Sequence, residues 1–509
     1  MARTASEGAS PATAAPDDAA LPDAAVAVGI DIGSTNTKAV LVSCGGPRSE
    51  LRELAVRQFS TPDTADELRD SVTQALRELT AVAPRHPLVV GIASMAETGV
   101  PLDAAGTPLT PLVRWNASAD ATVFERIDPE RFFCATGVPA LPKVPLAMWH
   151  ALGADDPGLW RRLARWSGVA DLIAHTLAGH CATDHTLAGR TGAYLLPARG
   201  ERMPRGFDAR LLALVGLTPD KLPDVVAPGE AVGAVSAAAA HSTGLREGTP
   251  VYVAGHDHAV GAWGAGARGP GDDADSMGTT EALVRVLGAP ADRAAVSATG
   301  MSLTRTVPGA HESLLAGASG GSLLAGWAHS PGPVDGTTRL GELIRLPYPS
   351  GRQTPHPDRT ARDELIDIAG RPVDPATRSD DELRRATLLG LCLQLRWMAE
   401  TQQNAAADPL APSVEPLAVI GGAPAGNAEW LALKSAVLGR PLRVAHVAQP
   451  VACSAALLAA VRAGVCADDV RLPAASVITP PAESEAQAAY DTFRRAALAA
   501  PTPTEERRV

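Results

Sequence analysis

The stretch Val28–Val42, reading VGIDIGSTNTKAVLV, constrains this chain more than any other. Val28, Ile30 and Ile32 alternate with Gly29, Asp31 and Gly33, the period of two that marks a strand. After the small polar run Gly33-Ser34-Thr35-Asn36, a second apolar run resumes at Ala39–Val42. The segment therefore predicts a β-hairpin with a wide polar tip. That tip carries backbone N–H groups, the hydroxyls of Thr35 and Thr37 and the cation of Lys38, all on one side of Asp31. Donors for phosphate oxygens beside a carboxylate for a metal suit a Mg²⁺-bound phosphate chain. An ordinary hairpin turn would use the same residues, so the decision rests with the remainder of the sequence.

At 509 residues the chain exceeds one ordinary core, which predicts two domains. Hydrophobic residues at 46% and charged residues at 20% give a globular composition. A net charge of −11 without a Lys/Arg run argues against nucleic acid and anionic membranes as partners. The six cysteines are scattered with no CxxC pair, which argues against a zinc site or a disulfide framework and for a reducing, cytoplasmic setting. Residues 1–24 are rich in Ala, Pro, Ser and Asp and lack the apolar core of a signal peptide, so a disordered tail is expected there. A frayed tail is expected at 501–509, and no apolar run reaches membrane-spanning length.

Downstream of the hairpin, Leu51–Ser60 supplies a third strand. Thr64–Thr80 has helical spacing of Leu68, Val72, Leu76 and Leu79, and Pro87–Ala93 is a short buried strand. Residues 98–150 are irregular, with Arg114-Trp115-Asn116 in a loop of a kind that lines ligand sites or serves equally often as a packing connector, and 158–180 reads as helix. Pro250–Gly255 is a strand that runs into His256-Asp257-His258, followed by a Gly/Ala-rich helix over Ala259–Ala267. The opening pattern then returns: Asp275–Val286 reads as a second hairpin with a Gly278-Thr279-Thr280 tip, which suggests two similar halves. A long helix (Asp380–Thr401), a strand ending at Gly421-Gly422 and a helix over Glu429–Leu438 close the second half.

Taken in order, the Asp31 hairpin, Gly255-His256-Asp257, the Gly278-Thr279-Thr280 tip and Gly421-Gly422-Ala423 resemble the FGGY family of carbohydrate kinases over residues 26–480. The resemblance implies an α/β fold of two ribonuclease-H-like domains of the actin-like ATPase superfold, with the active-site cleft between them. The expected boundaries are 25–267, bearing the sugar and Mg²⁺–phosphate side, and 268–500, bearing the nucleotide side. It implies Asp257 as the general base that takes a proton from the substrate hydroxyl; capping of the following helix is the structural alternative. Asp31 matches the family aspartate that helps hold Mg²⁺, directly or through water. Thr35, Lys38, Gly278, Thr279, Gly422, Gly426 and Asn427 match positions at the ATP phosphates and adenosine, as do Gly320 and Gly321 with a looser alignment. On the sugar side the resemblance implies Met95, Ala96, Glu97, Trp115 and Asn116, with Glu97 where glycerol kinases bind hydroxyls. His256 and His258 are read as cleft packing, since no Cys or carboxylate at ligand spacing supports a zinc site.

The chain also departs from the family pattern. Ala117 stands where Trp-Asn-Asp has its acid, Leu146 where a Lys precedes a Trp (Lys143 lies displaced from it), Leu389 replaces a Glu and Gln449 another. Ala452–Ala456 replaces a Gly-Ala-Ala run. The departures fall mostly on packing positions and imply a divergent subgroup. The expected activity is transfer of the ATP γ-phosphoryl group to a small sugar, a ketopentose or ketohexose first. A polyol kinase or a non-catalytic nucleotide-binding sugar sensor is the alternative. A homodimer is the family-level expectation.

Overall fold

The computed structural model describes residues 25–45, 51–117, 121–324, 340–405, 415–421, 427–481 and 486–499. β1 (Ala25–Ile32) and β2 (Asn36–Cys44) form the first hairpin, with Asp31 opposite Lys38 and Ile32 opposite Thr37. β3 (Arg52–Ser60) pairs antiparallel with β2. With β4 (Val90–Ser94), β5 (Gly233–Ala234) and β6 (Pro250–His256) they make a sheet of order β3-β2-β1-β4-β6-β5, in which β1, β4 and β6 run parallel. The crossover from β3 to β4 is helix α1 (Ala65–Val82). Thr64 caps α1 by accepting from the Glu67 N–H, and its buried face carries Leu68, Val72, Leu76 and Leu79.

The sequence echo is an echo of structure. β7 (Asp273–Met277) and β8 (Thr280–Val286) form a second hairpin. They join β9 (Ser302–Arg305), β10 (Glu312–Ser319), β11 (Leu417–Ile420), β12 (Leu442–Ala445) and β13 (Ala474–Ile478) in the order β9-β10-β8-β7-β11-β12-β13. Each sheet thus contains an antiparallel trio whose first strand, β1 or β7, continues into two parallel strands.

The predicted helix over 158–180 is broken in the structure. Leu159–Arg162 is one turn, Arg165–Gly168 pairs antiparallel with Gly99–Leu102, and only then does α2 (Val169–Ala178) begin. Its start is set by Asp171, whose carboxylate accepts from the Gly168 N–H at 3.0 Å. Strand pairing outweighs the helical pattern of the segment.

Helix α3 (Asp257–Ala265) leads out of β6, α4 (Asp380–Ala405) and α5 (Ala428–Leu438) flank β11, and α6 (Pro450–Arg462) follows β12. Although α6 follows the strands of the second sheet, it lies directly on β1 and β4 of the first. A Cβ on Gly29 would stand 1.9 Å from the Ala452 carbonyl oxygen, and one on Gly91 2.0 Å from that of Ala455. Only glycines in the sheet and small residues on the helix allow that approach, so Ala452–Ala456 is a packing surface. Among the described residues no helix is long and apolar enough to cross a membrane.

Candidate active site

The strands β1, β4 and β6 all end at the same edge of the first sheet, and the β7–β8 tip of the second sheet faces that edge. Between them lies a cleft of about 340 Å³ lined by both tips, by Met95–Glu97 after β4 and by His256–His258 after β6. The carboxyl ends of parallel strands are where α/β sheets bind ligands.

Asp31, near the end of β1, is 4% exposed. Its Oδ2 accepts from Lys38 Nζ at 3.3 Å across the hairpin, while Oδ1 is buried without a partner. Burial pushes the carboxyl up to about 6, Lys38 offsets part of that rise, and the charge of Asp257 adds to it. Thr35 is exposed at the tip, and the backbone N–H groups of Ser34 and Thr35 donate to nothing among the described residues. Thr37 behaves differently from expectation. Its hydroxyl is fully buried and bonded at 2.9 Å to Thr61, which in turn donates to the Gly33 carbonyl. Strand alternation turns Thr37 away from the cleft, so it shapes the tip from behind.

Asp257 is the first residue of α3. Its Oδ1 accepts from the His258 N–H at 2.7 Å and lies 3.2 Å from His256 Nε2, whereas Oδ2 has no partner among the described residues. His256 stands at the N-cap position without a side-chain cap bond, so Asp257 does not cap the helix; it accepts from the next N–H with one oxygen and keeps the other free. Burial raises its pKa, and the neighbouring His258 opposes the rise. Burial also holds His256 well below the ordinary histidine range, which makes it neutral. His258 Nδ1 bonds Ser276 Oγ of β7 at 3.0 Å and so links the two sheets. The ligand atoms of His256, Asp257 and His258 fall within 4.8 Å of one another. The carboxylate partner that the sequence reading found missing is Asp257 itself.

At the other end of the cleft Glu97 has φ of +61°, a left-handed conformation that costs a non-glycine residue about 1–2 kcal/mol. Arg190 holds it there: Nε and Nη2 donate to Glu97 Oε1 at 2.9 and 2.6 Å, and Nη1 donates to Ser302 Oγ of the second sheet at 2.5 Å. Both charged side chains are 9% exposed. Met95, Ala96, Trp115 and Lys143 line the same end. Asn116, expected with them, is exposed and does not line the cleft. Arg114 turns inward instead, donating to the Ser34 and Thr61 carbonyls and anchoring this loop to the first tip.

Gly278 and Thr279 line the cleft from the second tip. Gly320 and Gly321 do not: the Gly321 N–H donates to the Gly278 carbonyl at 2.9 Å, and a Cβ on Gly320 would meet the Glu281 nitrogen at 2.7 Å. They buttress the tip rather than face a nucleotide. Asn427 caps α5, its side chain accepting from the Trp430 N–H at 2.9 Å, and it too stands off the cleft. Gly422 and Gly426 lie outside the described residues. Gly421 and Gln449 complete the cleft wall.

Arg190, Lys143 and Ser302 were not singled out as site residues from sequence. Arg190 meets its partner across 93 positions and Ser302 across 112, and no local pattern encodes such a contact. The residues present fit a Mg²⁺–phosphate group: a buried carboxylate oxygen without a partner, a lysine beside it and undonated N–H groups in a tip.

The profile of the FGGY family of carbohydrate kinases, N-terminal domain, matches residues 26–264, and that of the C-terminal domain matches 307–463. L-fuculokinase of Escherichia coli (strain K12) is 28% identical over 274 residues, 50% of this chain and 55% of its own. The chain spans about half the length of the curated relatives it matches. Gluconate kinase from Lactobacillus acidophilus superposes with a TM-score of 0.77 at 19% identity, over 93% of this chain and 97% of its own. Xylulose kinase from Rhodospirillum rubrum gives 0.73 at 23% identity, over 92% and 97%. At such identities the superpositions speak for a shared fold: two actin-like α/β domains. With both profiles matched in order along most of its length, the chain belongs to the FGGY family of carbohydrate kinases.

Proposed function

We propose that this chain is an ATP-dependent kinase that phosphorylates a hydroxyl of a small sugar or polyol. The observation that carries the reading is the pairing of Asp31 and Asp257. A buried carboxylate, Asp31, and a half-buried one, Asp257, sense each other's charge, and each has one oxygen free of partners among the described residues; both line one cleft between two glycine-bearing tips. Bound Mg²⁺–ATP would supply the γ-phosphoryl group and the cation that neutralises its charge. Asp31 would hold the metal, directly or through water. Thr35 and Lys38 on one side and Gly278 and Thr279 on the other would hold the phosphate chain, and the family correspondence gives Gly422 and Gly426 to the adenosine.

Asp257 then serves as general base. Its pKa, raised by burial, makes it a better proton acceptor than an exposed aspartate. Its Oδ1 is occupied by the His258 N–H, so Oδ2 is the oxygen available to the acceptor hydroxyl. Glu97 is oriented by Arg190 and would accept further hydroxyls of the substrate through Oε2. That arrangement suits a ketose or a linear polyol. A sensor without turnover would have no use for a free carboxylate oxygen at Asp257. A cytoplasmic setting, where ATP is abundant, fits this reading.

The test is ADP release from Mg²⁺–ATP across ketoses, aldoses, polyols and their acids. Release that depends on an added acceptor supports the reading. ATP binding with no acceptor-dependent release on any compound contradicts it.

A further inference from the structure

Three flexible cations line the cleft, and two of them are accounted for. Lys38 pairs with Asp31, and Arg190 pairs with Glu97 and Ser302. Lys143 has no hydrogen-bond or ion-pair partner among the described residues. It sits on the turn before Pro145, where a helix begins, within electrostatic reach of both Glu97 and Arg190. The sugar end therefore opposes two cations with a single carboxylate, and that carboxylate already receives two donors from Arg190 on one oxygen. The charged neighbours of Lys143 are Glu97 and Arg190 and not Asp257, so Lys143 does not answer the base.

We propose that Lys143 is a specificity residue that receives an anionic group of the substrate, so that the preferred acceptor is a carboxylate-bearing sugar such as an aldonic acid. The inference rests on the kinase reading and deepens it. An ammonium in a partly buried wall beside a guanidinium is under stress in both respects. Burial presses its pKa down, Glu97 opposes that, and Arg190 adds to it. A ligand carboxylate at Lys143 would relieve both effects and form a charge-assisted hydrogen bond. Glu97 Oε2 beside it would accept from a hydroxyl of the same chain of carbons, which fixes the direction in which the acid lies. The far end of that chain then presents its hydroxyl to Asp257. A neutral ketose offers Lys143 only hydroxyl or carbonyl oxygens, which leaves the extra positive charge uncompensated.

The experiment compares matched acid and alcohol pairs, D-gluconate with D-glucitol and D-xylonate with xylitol, together with D-xylulose and D-fructose. Both calorimetric binding and ADP release are read, in wild type, Lys143→Met and Lys143→Arg. The expected result is a preference of about ten- to a hundredfold in KM and in binding for an aldonate over its alcohol. Lys143→Met abolishes the preference and Lys143→Arg retains most of it. Equal or better use of a neutral sugar, unaffected in its acid-to-alcohol ratio by Lys143→Met, overturns the inference and leaves the kinase standing. Absence of aldonate binding together with absence of ADP release on every compound overturns both.

Discussion

At the first tip, Asp31 meets Lys38 at 3.3 Å, one carboxylate oxygen lacks a partner, and the lysine side chain is 29% exposed. At the second, Asp275 and Glu281 both hold Lys434 of α5, and none of the three side chains has any exposure. The same acid–lysine chemistry is open in one half and sealed in the other. Sealing has a cost of its own. One lysine cannot balance two buried carboxylates, so burial, reinforced by Asp275, drives Glu281 toward its protonated form even though Lys434 opposes it. In the open tip the imbalance faces the cleft, where a cation can answer it. Burial, and not residue type, separates a structural cluster from a ligand site.

Substitutions can break that contrast. Lys434→Met should be the most damaging to stability, by about 3–5 kcal/mol, because it strands two carboxylates in the core. Urea unfolding checks this, and a loss below about 1 kcal/mol would mean the triad is not sealed. Asp31→Asn should slow phosphoryl transfer about a hundredfold or more, a loss of about 2.7 kcal/mol in the transition state. Its stability should move the other way. The folded-state pKa of about 6 exceeds the ordinary 3.8, so above pH 6 the native protein carries an ionised carboxylate at a cost. Removing it should leave the urea midpoint at pH 8 unchanged or raised.

Thr37→Val sharpens the comparison within the first tip. It should cost about 1 kcal/mol of stability through the lost bond to Thr61, with transfer nearly intact, whereas Thr35→Val should act on the KM for ATP. The smallest effect concerns His258, which joins the two sheets through Ser276 and lowers the pKa of Asp257. A base must be ionised, so kcat/KM should fall as pH drops through the raised pKa of Asp257. His258→Gln should move that acid limb upward by less than about one pH unit. A downward move would contradict the assigned electrostatics.

Both hairpins were legible in sequence because alternation and glycine tips are local properties, and so was α1 with its Thr64 cap. The run at 158–180 misled because pairing of Arg165–Gly168 with Gly99–Leu102 is a contact across more than sixty positions that no window contains. Asp31, Glu97 and Asp257 could be found as acids at strand ends. The orientation of Thr37, the buttressing role of Gly320 and Gly321, and the grip of Arg190 on Glu97 depend on tertiary neighbours. The resemblance brought Asn116 and Asn427 to the site; the structure leaves both off the cleft wall.

The most direct measurement is single-turnover phosphoryl transfer by Asp257→Asn, with Mg²⁺–ATP binding followed in parallel. The account predicts nucleotide affinity close to wild type and transfer slower by about a hundred- to ten-thousandfold, because the amide cannot take the acceptor proton. Transfer within tenfold of wild type, with binding intact, would contradict the assignment of Asp257 as the base.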